Sequence, residues 1–287
     1  MNKQRAFALM VAVVAAWGAS YMWMKVALAA VSPLMLVGLR FGIAFIVTWA
    51  VFPHALAHLD RQQWLAGLLL GSLLFALFAS VMFGLQTTAA TTAGFLVSTT
   101  AMFVMLFTAI STHRLPSVTA MTATGLVLLG LFLLVTNGKL MISGGAALCL
   151  LTAALYALHI LASGQITKHL PDTFAVSVLQ LGVAGGEGLI ASWCFETPTL
   201  PQTIDQWGAI IALGVVCSAF GFVAQVHCQQ RLSPTTISMI FSLEPLFAAG
   251  FGMWLLRDQL SGLQWLGALV IFLGVFGHEW LTARLAS

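Results

Sequence analysis

The chain has 287 residues, of which 60% are hydrophobic and 7% charged, and its formal net charge is +3. A soluble domain carries about 25% charged residues, so this composition excludes a water-solvated globular surface and points to a chain solvated by lipid. The small positive charge says little about partners, and no nucleic-acid partner is expected.

From the N-terminus, MNKQRAFALMVAVVAAW has the basic residues and apolar run of a signal peptide, with Ala27–Ala29 shaped like a cleavage site. The run is about 20 residues, longer than the roughly 7–15 of a signal sequence, and further apolar segments follow it. A retained first helix is expected. A membrane helix needs about 20 mostly apolar residues. Ten such spans can be drawn: 6–27, 33–52, 63–83, 91–111, 117–136, 142–163, 173–194, 207–227, 234–256 and 261–282. Short joints separate them, among them HLDRQQ, HRLPS, TNGK, KHLPD, ETPTLPQ and RLSP.

Polar groups inside these spans are the chemical signal, because a charge at bilayer depth costs about 2.5–3.5 kcal/mol and normally faces protein or water. In span 1, Trp17, Ser20 and Tyr21 share one helical face. Span 2 carries Arg40, expected to snorkel, to clamp a helix end or to pair with Glu187 of span 7. Thr92, Thr99 and Thr100 of span 4 can line a cavity or bond their own backbone. In span 6, Tyr156, His159 and Ser163 again share a face. Aromatic walls with a few polar groups suit a small amphipathic ligand, and Trp or Tyr can hold an ammonium through the ring face. Span 9 carries Ser238, Ser242, Glu244 and Pro245. Glu244 sits near the middle of that span. Pro245 has no amide to give the carbonyl of Phe241, so a bend is expected there. A freed carbonyl is tolerated beside protein or water. Ala248 and Gly252 form a small-xxx-small pair, a sign of close helix packing.

The four cysteines have no ligand spacing and are read as free, packed thiols. No phosphate loop, nucleophile elbow or metal-ligand cluster occurs, so neither a cofactor nor an enzymatic activity is expected. With the N-terminus inside, Lys3, Arg5, Arg61, Arg114, Lys168, Arg231 and Arg284 lie on the cytoplasmic side, and Lys25, Lys139 and Arg257 outside. That bias supports cytoplasmic termini and an even number of spans. A shift of 144 residues lays residues 87–136 over 231–280, matching Thr92 to Thr236, Ser98 to Ser242, Phe103 to Phe247 and Gly130 to Gly274. GLRFGIA (38–44) lies over VLQLGVA (178–184). The expected fold is an all-α membrane protein of ten transmembrane helices, as two inverted five-helix repeats (1–138 and 139–287) around a central cavity. Inverted repeats of this kind build many secondary transporters.

Three segments carry a family resemblance: AAWGASYMWMKVAL in span 1, LRFGIAF in span 2, and SPTTISMIFSLEPLFAAGFGMWLLRDQLSGLQWLGALVIFLGV across spans 9 and 10. Together they resemble the EamA family of the drug/metabolite transporter superfamily. Asp258 fills the family's acidic position after span 9, while the first half has Arg114 there and Thr100–Ala101 in place of Glu244–Pro245. The resemblance implies a carrier of small metabolites, often an exporter of amino acids or their relatives, with a cavity lined by spans 1, 3, 4, 6, 8 and 9. The expected function is alternating-access transport across the cytoplasmic (inner) membrane, with proton coupling at Glu244 or His159. Efflux of organic cations or drugs is the alternative, and a non-transporting membrane protein a further one. The expected substrate contacts are Trp17, Ser20, Tyr21, Thr99, Tyr156, His159, Ser242 and Glu244; Arg40, Glu187 and Pro245 are expected to be structural.

Overall fold

The computed structural model describes the whole chain except residues 58, 89, 137–143, 171–172, 252, 254–258 and 286–287. Asp258, Gly252, Lys139 and Arg257, and the expected boundary at 138/139, lie outside the described residues. Among those described there is no strand; the chain is a bundle of helices. In order they are α1 (Lys3–Gly18), α2 (Ser20–Leu28), α3 (Pro33–Val51), α4 (Arg61–Thr87), α5 (Ala90–Ser98), α6 (Thr100–Thr112), α7 (Val118–Thr136) and α8 (Ala146–His169). There follow α9 (Thr173–Phe195), α10 (Ile204–Ala212), a π-helical stretch (Leu213–Phe220), α11 (Gly221–Gln229), α12 (Pro234–Phe241), α13 (Glu244–Phe251) and α14 (Gly262–Leu285).

Eight helical stretches are long and apolar enough to cross a bilayer: 3–28, 33–51, 61–87, 92–112, 118–135, 146–169, 173–195 and 204–229. These coincide with the first eight expected spans. The ninth is divided between α12 and α13, and in α14 the apolar stretch runs over Gly262–His278.

Helix ends are set by local chemistry. Asp60 and Gln63 form a reciprocal capping box at α4 (Gln63 N to Asp60 Oδ1 2.7 Å; Asp60 N to Gln63 Oε1 3.0 Å). Ser233 caps α12 ahead of Pro234, which needs no amide partner at a first-turn position. The α3 amides of Leu34 and Met35 donate to the carboxylate of Glu196, just past α9 (3.1 and 3.3 Å). An anion suits a helix N-terminus, and this one ties the ends of α3 and α9 together.

Small residues let the helices approach. A Cβ on Gly188 of α9 would lie 2.6 Å from Gly38 N of α3, and one on Gly185 would lie 2.7 Å from Gly42 N. The same closeness joins α7 to α14, where a Cβ on Gly130 would lie 2.7 Å from Gly267 O. Without water to drive helices together, packing of small residues is what holds membrane helices in contact.

Two spans expected as single helices are broken. Span 1 turns at Ala19, between α1 and α2, and span 4 turns at Thr99, between α5 and α6. Span 9 breaks at Ser242–Leu243, one residue before Glu244, so Pro245 sits in the first turn of α13.

Candidate functional site

The breaks of spans 1 and 9 border one cavity. This cavity, of about 610 Å³, is lined by Gly18, Tyr21, Lys25 and Val26 of span 1, Gly94 of α5, Leu134 and Val135 of α7, Glu244, Pro245 and Ala248 of α13, and Gln264 of α14. It runs from the break at Glu244 toward the bundle end where α2 and α7 stop and α14 starts. A second cavity of about 40 Å³ lies beyond it, lined by Trp17, Tyr21, Met24, Arg40, Phe78, Thr152, Tyr156, Phe222 and Glu244 among others. Tyr21 and Glu244 line both, so they form the neck between the two spaces.

Each neck residue owes its position to a helix break. Tyr21 lies two residues past the Ala19 turn, and Glu244 opens α13. A Cβ on Gly18 would lie 2.7 Å from Phe247 Cβ, so the glycine allows α1 to approach α13 beside the neck. The inner space is walled by aromatics: Trp17 stands 5.3 Å from Phe222 and 5.1 Å from Phe241, and Tyr156 5.0 Å from Phe241 (ring centroids). Trp17 Nε1 donates to Cys217 O in the π-helical stretch (2.7 Å). A π-helix shifts the carbonyl register by one residue and often marks a functional position.

Arg40 is 2% exposed, with its guanidinium inside the bundle. Snorkelling is therefore ruled out. Its Nε donates to Ser218 Oγ at 2.6 Å, its Nη1 approaches Met24 Sδ at 3.6 Å, and the guanidinium carbon lies 4.3 Å from the Phe78 ring centroid. The envisaged pair with Glu187 does not form: Glu187 accepts from Ser72 Oγ at 2.5 Å, and Arg40 turns toward the π-helical stretch and span 1.

The other expected contacts are dispersed. Ser20, Thr99, His159 and Ser242 are all buried but line neither cavity. Thr99 and Ser242 donate to their own helices, at Leu96 O (2.6 Å) and Ser238 O (3.3 Å). His159 Nε2 lies 3.0 Å from Gln180 Oε1 of α9, and Ser163 donates to Gln229 Oε1 at 2.6 Å. The Ala19 break explains Ser20, since it splits the face shared with Trp17 and Tyr21. On unbroken α8, Tyr156 looks into the inner cavity while His159 and Ser163 serve the α9 and α11 contacts.

Sequence reasoning missed Arg40 as a cavity residue, along with Lys25, Phe78, Phe222 and Gln264. One signal was available: the overlay that puts Arg40 over Gln180 marks both as polar residues at one depth of spans 2 and 7. The inner cavity draws on spans 1, 2, 3, 4, 6, 8 and 9, so span 2 joins the implied set. The outer one departs further and adds spans 5 and 10.

A multi-helix membrane protein with a deep cavity ending at a mid-bundle carboxylate has the form of a small-molecule carrier. The chain belongs to the EamA-like transporter family, which matches residues 4–136 and 143–278. It is 25% identical to an uncharacterized transporter of Archaeoglobus fulgidus over 91% of this chain and 92% of that one. Its identity to the uncharacterized transporter YoaV of Bacillus subtilis is also 25%, over 93% and 94% of the two chains. The threonine/homoserine exporter RhtA of Salmonella typhimurium is 30% identical over 55% of this chain and 54% of its own. A solved crystal structure superposes with a TM-score of 0.83 at 16% identity, covering both chains fully, a likeness of fold alone.

Proposed function

We propose that the chain is a ten-helix carrier of two inverted repeats, 1–138 and 139–287, that exports amino acids or closely related metabolites across the cytoplasmic membrane by alternating access. The observation that carries this reading is the cavity that narrows to Tyr21 and Glu244 halfway through the bundle. Midplane sites beside broken helices are where such carriers hold their cargo.

Several observations support the repeat. The family match falls in two stretches of similar length. Repeat partners pack on each other, α3 against α9 and α7 against α14. At an offset of 144 the two broken helices share their hydrogen bonds. Thr99 N to Leu96 O and Met102 N to Thr99 O correspond to Leu243 N to Ile240 O and Leu246 N to Leu243 O. With the termini inside, as the Lys and Arg bias favours, the wide cavity opens outward past Lys25 and Gln264. Amino acids are favoured by the likeness to RhtA over about half of each chain. Organic-cation efflux is the second reading, favoured by a carboxylate at the neck of an aromatic cavity.

The test is transport by purified protein in liposomes. Amino acids and organic cations are screened for thermal stabilisation, and each hit is tested for counterflow with and without a pH gradient. Counterflow of amino acids is expected; no counterflow for any stabilising ligand overturns the carrier. For proton coupling, Glu244 is the favoured residue because it lines both cavities, whereas His159 is engaged with Gln180 away from them. Glu244→Gln should abolish flux driven by a pH gradient and leave exchange running. Wild-type flux under both conditions would make the residue structural.

A further inference from the structure

Arg40 is a buried cation with no carboxylate in direct contact, and Glu244 is the acidic residue that borders the same inner cavity. Among the described residues no carboxylate lies within 4.0 Å of it. Its recorded acceptors are a neutral hydroxyl and a thioether sulfur. A guanidinium carries five N–H donors, and two neutral partners leave the rest unspent. Removing such a group from water costs several kcal/mol unless it is paired. The Phe78 and Phe41 rings, at 4.3 and 5.4 Å, offset part of that cost through their faces. Yet Arg40 does not face solid protein: it borders the 40 Å³ inner cavity, and Glu244 stands at that cavity's neck.

We propose that Arg40 recognises the substrate's carboxylate, making this carrier one for free α-amino acids bound as zwitterions; this rests on the carrier reading above. The carboxylate enters the inner cavity and takes Arg40's open donors in a forked pair, the geometry a guanidinium matches and an ammonium does not. Its α-ammonium stops at the neck, against the Glu244 carboxylate and the Tyr21 ring. The inner space has room for a group of carboxylate size, since about 10–15 Å³ of such space already holds a water. The side chain then remains in the 610 Å³ cavity, walled largely by Val26, Leu134, Val135 and Ala248. Selectivity therefore sits on the charged head, and the side chain is loosely chosen. A simple organic cation would satisfy Glu244 but set a second positive charge near Arg40. Ser218 is a positioning residue: its hydroxyl holds the guanidinium at Nε.

The experiment is counterflow in liposomes of labelled L-threonine and L-leucine, competed by each parent acid, its methyl ester and its decarboxylated amine (1-aminopropan-2-ol and isopentylamine). Losing a hydrogen-bonded charge pair should weaken the ester and the amine about tenfold or more against the parent. Arg40→Gln should raise KM for the acid by a similar factor and erase the preference over the ester, with Arg40→Lys keeping part of it. Ser218→Ala should raise KM less and keep the preference. Should Arg40→Gln fail to fold, the ester and amine comparisons on the wild-type protein still decide. Esters competing as well as acids, or Arg40→Gln with wild-type KM, overturn the proposal while the carrier stands. Transport of the amines in preference to the acids overturns it in favour of cation efflux. No counterflow of any stabilising ligand removes the carrier and this inference together.

Discussion

The turn between α5 and α6 and the turn between α12 and α13 are one structure built with two chemistries. In each, the amide at the turn reaches back three residues: Thr99 N to Leu96 O at 3.2 Å, Leu243 N to Ile240 O at 3.0 Å. In each, the turn's carbonyl accepts from the next two free amides, Met102 and Phe103 in one, Leu246 and Phe247 in the other. Even the serine before the turn bonds alike, Ser98 Oγ to Gly94 O and Ser242 Oγ to Ser238 O. Only one turn has a proline. In the other, Thr99 and Thr100 donate to Leu96 O and Val97 O, both at 2.6 Å, so hydroxyls occupy carbonyls that helical amides would use. Side-chain bonds of this kind bend helices. The break is thus common to both family-matched stretches, and the carboxylate is particular to one.

The largest expected effect comes from exchanging the chemistry and keeping the turn. At the position where one half has Glu244 the other has Thr100, which is 1% exposed and lies 3.4 Å from Ala153 O of α8. Glu244→Gln should abolish transport driven by a pH gradient, since an amide cannot take up and release the proton that a carboxyl can. Thr100→Val keeps the shape and should leave transport within about threefold, since a neutral bond contributes about 1 kcal/mol or less. Equal losses in the two variants would erase the asymmetry between the halves.

Helix existence was legible because apolar length is read directly from composition. The first eight spans coincide with the helices, and the joint residues Asp60, Ser233 and Pro234 announced their starts. The breaks were legible only where a proline marked one. Nothing in VSTTAMF separates a bent helix from a straight one, because threonine either turns outward or bonds backward, and the neighbouring helices decide. Ala19 carries no signal of its own and Gly18 before it only a weak one, though α13 approaches closely at that glycine. The neck residues Tyr21 and Glu244 were among the expected contacts for sound reasons, aromatic character and buried charge. Arg40 was misjudged because a helical face can be read from sequence but a snorkelling direction cannot.

A middle-sized effect separates contacts that are tight from those that only look so. Gly188 and Gly130 stand against backbone atoms of the partner helix, whereas a Cβ on Gly186 or Gly125 would meet nothing within 4 Å. Gly188→Ala and Gly130→Ala should each lower the melting temperature, with overpacking costing about 1–3 kcal/mol. Gly186→Ala and Gly125→Ala should leave it unchanged or higher, since alanine is the better helix former. If all four behave alike, the α3–α9 and α7–α14 contacts are looser than the geometry states.

The smallest effect should come from the residue that looks most disruptive. Pro245 lies in the first turn of α13, where its missing amide has little to lose and its fixed φ suits a helix start. The turn before it recurs at Thr99 without any proline, so Pro245→Ala should leave the break in place and transport within about twofold. Distances between spin labels on α12 and α13 should match those of the unsubstituted protein. In the other half, Thr99→Val with Thr100→Val removes the two hydroxyl bonds and should lengthen the α5–α6 distance as that turn straightens. A straightened α12–α13 in Pro245→Ala, beside an unchanged α5–α6 in the threonine pair, would invert the argument. The proline would then cause one bend, packing alone the other, and their matched hydrogen bonds would be convergence on a shape rather than inheritance of it.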